Sequence, residues 1–320
     1  MEAESDKNGF VKTGSSLPAA TAVEEQSLKI PEIKFSSEEQ RALALNAADA
    51  MGIRRSVVFA TTAYEAGDML GPIMAEKEFI QNRYGEQAKE QSVATLEVMA
   101  YRQLGFSVQN DKGECGVYIS PEAHKAYAVD EGGSDALTSE ADLLRQKTVV
   151  VHEVVHCDLG QEARQKTAEE RTDAALLNDP DQSEKHRTER LKQEQNYLSY
   201  LEENRADIAA VLYLRKQALT EGGPELLSRV DEVYREAIEK RNAETTTGDV
   251  KHNTADSLDK ALYVSADILE NTPEDRLLPL ADALVKNTAM NFEDYTTLAD
   301  RHQQETDITK VDFNEVVKKP

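Results

Sequence analysis

Only two cysteines, Cys115 and Cys157, occur in 320 residues. That is too few for a disulfide framework or for a cysteine-built structural zinc site. No apolar run approaches the roughly 20 residues that span a bilayer. The opening MEAESDKNGF carries acids and no apolar h-region, so neither membrane insertion nor a conventional secretory signal is expected. The cytoplasm is the default compartment on that reading, although delivery to another cell by a specialised route would leave no such mark. Basic residues are outnumbered by acids, 37 to 60, for a formal charge of −23. Such a chain lacks the basic footprint that phosphate backbones require and is repelled by anionic membrane surfaces. Nucleic acid is therefore excluded as an expected partner, and a peptide or protein is left. Nothing in these numbers sets an oligomeric state.

What the chain has in abundance is helical patterning. Residues 1–37, with Pro18 and Pro31 and no sustained periodicity, read as a flexible tail. A helix is expected from Ser36-Ser37 to about Met51, then a strand at Ser56–Ala60, where β-branched and aromatic residues cluster, with a continued helix as the alternative. Further helices are expected over 73–83 and 86–104. Two strand-like pieces follow, at 116–120 and 125–129, closed by Gly132-Gly133. Beyond them the pattern is helical almost to the end, over 139–159, 163–177, 183–219, 225–241, 255–270, 274–288 and 293–304. Breaks fall at Pro180, Gly222-Gly223-Pro224, Thr245–Asn253 and Pro273.

Within the 139–159 segment lies His152-Glu153-Val154-Val155-His156. On a helix, residues four apart share a face, so both imidazoles can address one ion while the intervening glutamate sits beside it. That pattern is what a catalytic zinc site needs: the metal lowers the pKa of water toward about 7, and the glutamate takes the proton. The surroundings agree with a buried helix. Ser139-x-x-Asp142 resembles a capping box, Gly160 suits a helix end, and Leu144, Val151, Val155 and Leu159 form an apolar stripe with Leu143, Val150 and Val154 alongside. The competing reading is a buried strand over Thr148–Val155, favoured by three consecutive valines. Under it both histidines would be ordinary residues.

A catalytic zinc takes three protein ligands and keeps one position open. In the expected helix 183–219, Glu203 and Asp207 share a face with Tyr200, Ala210 and Leu214, so two acids look inward among apolar neighbours. Like charges four apart cost a helix about 0.2–0.5 kcal/mol. A metal on Glu203 and a histidine N–H on Asp207 would relieve that cost. The alternative is a solvated face of a charge-rich helix.

The pair HExxH and Glu203-x-x-Ala206-Asp207 resembles the gluzincin clan of metallopeptidases, with its thermolysin-like catalytic core. The long spacing and the Ala-Asp are most similar to the prenyl-protein and heat-shock membrane metallopeptidases and their small soluble relatives. The resemblance covers only these two motifs, and the chain lacks the spanning helices of the membrane families. It implies Zn2+ held by His152, His156 and Glu203, with Glu153 as general base and Asp207 behind the metal ligands. A metzincin arrangement would need a histidine where Glu162 stands, and Gly160 falls one residue late. A gluzincin with shorter spacing would need an acid near 175, where Ala174, Ala175 and Leu176 stand.

An acyl-transfer site also needs a donor for the developing oxyanion. His252 is the candidate, with Tyr213 and Tyr263 as others, whereas His124, His186 and His302 read as surface residues. The strand pieces 116–120 and 125–129 could offer a sheet edge to an extended substrate, or simply pack as a hairpin. Cys157 reads as a small buried residue. Taken together, the expected fold is α+β and predominantly helical. A zincin-like core would span 38–220, a helical C-terminal subdomain 221–305 and a loose tail 306–320. The expected function is zinc-dependent peptide hydrolysis. Its rival is a noncatalytic acidic helical scaffold in which HExxH is accidental.

Overall fold

A helical stretch that is hydrophobic on nearly every side belongs at the centre of a fold. Residues 206–214 are such a stretch, with Asp207 as the one acid, and no residue from Ala206 to Leu214 is more than 4% exposed. The computed structural model describes residues 35–60, 105–109, 114–120, 123–127, 137, 139–158, 161–177, 184–247, 250 and 253–309. All of them lie in the unit Glu32–Pro320. The described elements are α1 (Ser37–Ala50), β1 (Ser56–Ala60), β2 (Gly105–Gln109), β3 (Glu114–Ile119), α2 (Glu140–Val155), α3 (Gln161–Leu176), α4 (Glu184–Thr247), α5 (Ala255–Leu262), α6 (Ala266–Asn271), α7 (Leu277–Thr288) and α8 (Phe292–Thr309), with short 3-10 turns at Ala123–Tyr127 and Glu274–Arg276. The described residues are thus predominantly helical, with one small sheet among them.

The fully buried stretch lies in α4, against which α2, α3, α5, α6, α7 and α8 all pack. The expected break is present as a reversal at Gly223, whose φ of 65° and ψ of −158° no helix contains. In a straight helix Arg215 and Asp231 would stand about 24 Å apart, yet Arg215 Nε lies 2.7 Å from Asp231 Oδ1. The second half of α4 therefore doubles back beside the first, and Pro224 opens it with a φ already suited to a helix. This returning half also reaches α2, through Thr148 Oγ1 to Tyr234 Oη (3.0 Å) and the Arg145–Glu236 ion pair. The expected boundary at 220/221 falls just before the reversal, within a helix pair joined by ionic contacts.

Helix α1 begins as expected, with a reciprocal capping box between Ser36 and Glu39. Helix α2 begins at Ser139, whose hydroxyl accepts from the Asp142 N–H at 3.1 Å. The strand alternative for 148–155 is overturned. Nine residues from Gln146 to Val155 are buried on this helix, so packing against α4 outweighs the β preference of its valines. The helix ends at Val155, four residues short of the expected Leu159. Gly160 lies outside the described residues, as do the expected helices over 73–83 and 86–104, and Gly132-Gly133. Expected helix 255–270 is two helices, because Ser265 caps α6 through the Ile268 N–H. Helix α8 runs to Thr309, past the expected start of the loose tail.

The sheet has strand order β1-β3-β2, with β1 parallel and β2 antiparallel to β3. Strands at 56–60 and 116–120 were expected. Strand β2 was not, and the piece at 125–127 is a 3-10 turn rather than a strand. The expected hairpin edge is therefore wrong in place, since β3 is paired on both sides and β2 and β1 are the outer strands among those described. Cys157 is fully buried, as expected, and it has a further role. It forms a disulfide with Cys115 of β3, both sulfurs being buried in the core. The bond ties the central strand to the turn that ends α2.

Candidate metal centre

Helix α2 is held against α4 with His152 facing Glu203 and Asp207, and the turn after Val155 presents His156 beside them. His152 Nε2 lies 3.1 Å from His156 Nε2 and 3.2 Å from Glu203 Oε2. His156 Nε2 lies 3.7 Å from Glu203 Oε1. Two donors bound to one zinc at about 2.05 Å, with tetrahedral angles, stand about 3.3 Å apart. The three side chains thus converge at the spacing of ligands around one small cation. Among the described residues they are the group of histidines and carboxylates able to hold a metal ion.

Each ligand's aim has a cause. Asp207 is fully buried, and its Oδ1 lies 2.8 Å from His152 Nδ1. The proton on Nδ1 leaves the Nε2 lone pair directed at the cluster. Asp207 is itself fixed: Tyr127 Oη donates to Oδ1 at 2.7 Å and Thr254 Oγ1 to Oδ2 at 2.6 Å. Tyr127 comes from the 3-10 turn and Thr254 from the start of α5, so three segments remote in sequence orient one imidazole. Neither residue stands out in the sequence. Tyr127 sits in a piece that reads as strand, and Thr254 at the end of a polar run.

Burial alone would push the His152 imidazole below the ordinary histidine range. Hydrogen bonding and charge from Asp207, then from Glu203, outweigh it and raise its pKa well above that range. Burial likewise works to raise Glu203, but the neighbouring His156 and His152 hold it well below the usual carboxylate value. A raised histidine contributes stability that is complete below its unfolded pKa and is lost as pH rises through the folded one. The depressed Glu203 contributes above its unfolded pKa and loses this as pH falls through its folded one. A cation must displace the proton from His152. Zinc uptake is therefore expected to release protons, and apparent affinity to fall as the pH is lowered. Zinc titrations in weakly buffered indicator solution at neutral pH measure the release, and uptake without proton release would contradict the geometry.

Glu153 is also buried, one residue from His152 on the same helix. It lies against the first residue of β2: a Cβ added to Gly105 would stand 3.0 Å from Glu153 Cγ and Oε1 and 2.9 Å from Val149 Cγ1. Gly105 was not anticipated, because the preceding segment reads as helix up to it. The other expected helpers fare differently. His252 lies outside the described residues. Tyr213 is buried in the core, where its hydroxyl accepts from Gln217 Nε2 at 2.7 Å and burial raises its pKa to about 12. Tyr263 is 73% exposed. Among the described residues, neither tyrosine has a hydrogen bond with the cluster. His186 is exposed, as expected.

Comparison of the chain with protein families, curated proteins and solved structures finds no match. Functional assignment therefore rests on the residues themselves.

Proposed function

We propose that the protein is a zinc-dependent peptidase with a zincin-like core. The observation that carries this reading is the convergence of His152, His156 and Glu203 at tetrahedral spacing, with Glu153 between the two histidines and Asp207 behind one of them. Two histidines and one carboxylate form the donor set of an open catalytic zinc site, which leaves a position for water or substrate. Bound there, zinc lowers the pKa of water and polarises a carbonyl. The protein's part is to hold the ligands, to receive the water's proton on Glu153 and to deliver it to the leaving amine.

The substrate proposed is a peptide or protein segment in extended form. Strand β2 is an outer strand among those described, and its first residue touches Glu153, so a chain lying along it would bring a peptide bond toward the base. The close approach of Gly105 has a consequence that can be measured. Gly105→Ala should retain zinc but lose peptidase activity by about tenfold or more, because a 1 Å misplacement of reacting groups costs about 10²-fold. Wild-type turnover in that variant would place substrate elsewhere than along β2. No helix among the described residues is long and apolar enough to cross a membrane.

The decisive experiment measures zinc in purified wild-type protein beside His156→Ala and Glu203→Ala, with hydrolysis of a mixed peptide pool. About one zinc per wild-type chain, lost in both variants, together with peptide cleavage, supports the proposal. A folded wild-type chain that takes up no zinc when metal is supplied would sink it and leave the acidic helical scaffold.

A further inference from the structure

Of the two histidines, His156 is the one its own helix holds less. Helix α2 ends at Val155, His156 is its C-terminal cap, and residues 156–158 form a turn. The N–H groups of His156, Cys157 and Asp158 still donate to His152, Val154 and Val155 carbonyls at 3.4, 2.9 and 3.0 Å, but the carbonyls of a helix's last turn have no partner further along the helix, so the turn is fixed from one side only. Among the contacts outside the helix that restrain this one, two involve the residues that follow His156. The first is the disulfide from Cys157 to β3. The second is ionic: Asp158 Oδ2 lies 2.5 Å from Arg205 Nη2.

Arg205 stands two residues after Glu203, about 200° around α4 from it. Its side chain is only 9% exposed, and its Nε lies 2.6 Å from Asp282 Oδ1 on α7. One guanidinium therefore joins three elements: the turn that carries His156, the helix that carries Glu203, and α7 on the far side. A planar fork is suited to this, because two edges of one rigid group address two carboxylates at once, which an ammonium cannot do.

Resting on the reading of the metal centre given above, we propose that Arg205 is a positioning residue of that centre. By gripping Asp158 it sets where His156 stands relative to Glu203, and so sets zinc affinity. Asp282 orients the guanidinium but does not lie on a ligand-bearing segment. The two acids therefore have unequal consequences although they hold the same group at nearly the same distance. Both are partly exposed, 27% for the Asp158 side chain and 55% for Asp282, so each can be truncated without leaving a sealed hole.

The test compares zinc affinity, by competition with a chromophoric chelator, in the full-length wild type, Asp158→Ala, Asp282→Ala and Arg205→Lys. Thermal stability without zinc is followed in parallel. Asp158→Ala and Arg205→Lys are expected to weaken zinc by about 10–100-fold, the usual cost of losing an outer-shell partner. Asp282→Ala is expected to change it by less than about threefold, despite a similar shift in melting temperature. Arg205 and Asp282 also line a cavity of about 500 Å³, which gives a small cation access. Millimolar guanidinium should partly restore zinc affinity to Arg205→Ala, an effect that general destabilisation would not produce. Wild-type affinity in Asp158→Ala overturns the inference while leaving the metal centre intact. So does a loss in Asp282→Ala equal to that in Asp158→Ala. Absence of zinc from the wild type removes the metal centre itself, and the inference with it.

Discussion

Glu153→Gln should keep its zinc and lower peptide hydrolysis by about 10²–10⁴-fold, the usual contribution of a positioned general base. The amide matches the carboxylate in shape and keeps an acceptor oxygen, but it cannot take up a proton at neutral pH. Glu153 is absent from the ligand cluster, which is formed by His152, His156 and Glu203, so metal content should not change. Its proximity to Gly105 adds a structural reason to choose an isosteric replacement. A shorter side chain would leave a gap between α2 and β2 and confuse loss of chemistry with loss of packing. Metal analysis and steady-state kinetics on one preparation settle the matter. Full turnover with zinc bound would mean that another group takes the proton, whereas lost zinc would mean that Glu153 helps to build the centre.

Breaking the Cys115–Cys157 bond should lower the stability of the fold substantially. The bond closes a loop across a sequence separation of 42 residues. The chain-entropy relation gives about 4 kcal/mol of stabilisation for a loop of that length at 25 °C. Cys115→Ser with Cys157→Ser is expected to lower the unfolding free energy by about 2–4 kcal/mol, read by denaturant titration. Because Cys157 follows His156, zinc affinity should fall as well. Both cysteines are fully buried, so reductant should act slowly on the folded protein and readily once it is opened by denaturant. A pair of serines with unchanged unfolding free energy would show the bond to be dispensable. Such bonds form and persist in oxidising compartments.

The local features of the chain determined much of what the structure contains. The boundaries of α1, the onset of α2 and the reversal at Gly222-Gly223-Pro224 are written in capping residues and in a glycine-proline break, which act over a few neighbours. The same holds for His152 and His156, whose spacing of four is a property of any helix. Pairing Glu203 with them rests on the combination of HExxH with Glu203-x-x-Ala206-Asp207, since two acids four apart on a charged helix equally suit a solvated face.

What tertiary structure alone decided is everything that depends on segments far apart in the chain meeting. Val149-Val150-Val151 suit a strand locally, and only burial against α4 makes them helical. Gly105 opens a strand because β3 is there to pair with it, and its lack of a side chain acquires meaning only where Glu153 approaches. Tyr127 and Thr254 look unremarkable until both meet Asp207, which is 80 and 47 residues away in sequence. Cys115 and Cys157 are a count of two until the sheet and the end of α2 bring their sulfurs together. Arg205 reads as one charge on a charged helix until Asp158 and Asp282 close on it. Periodicity and capping record short-range sterics and hydrogen bonding, whereas the orientation of a metal ligand is fixed by partners whose proximity exists only after the core has formed.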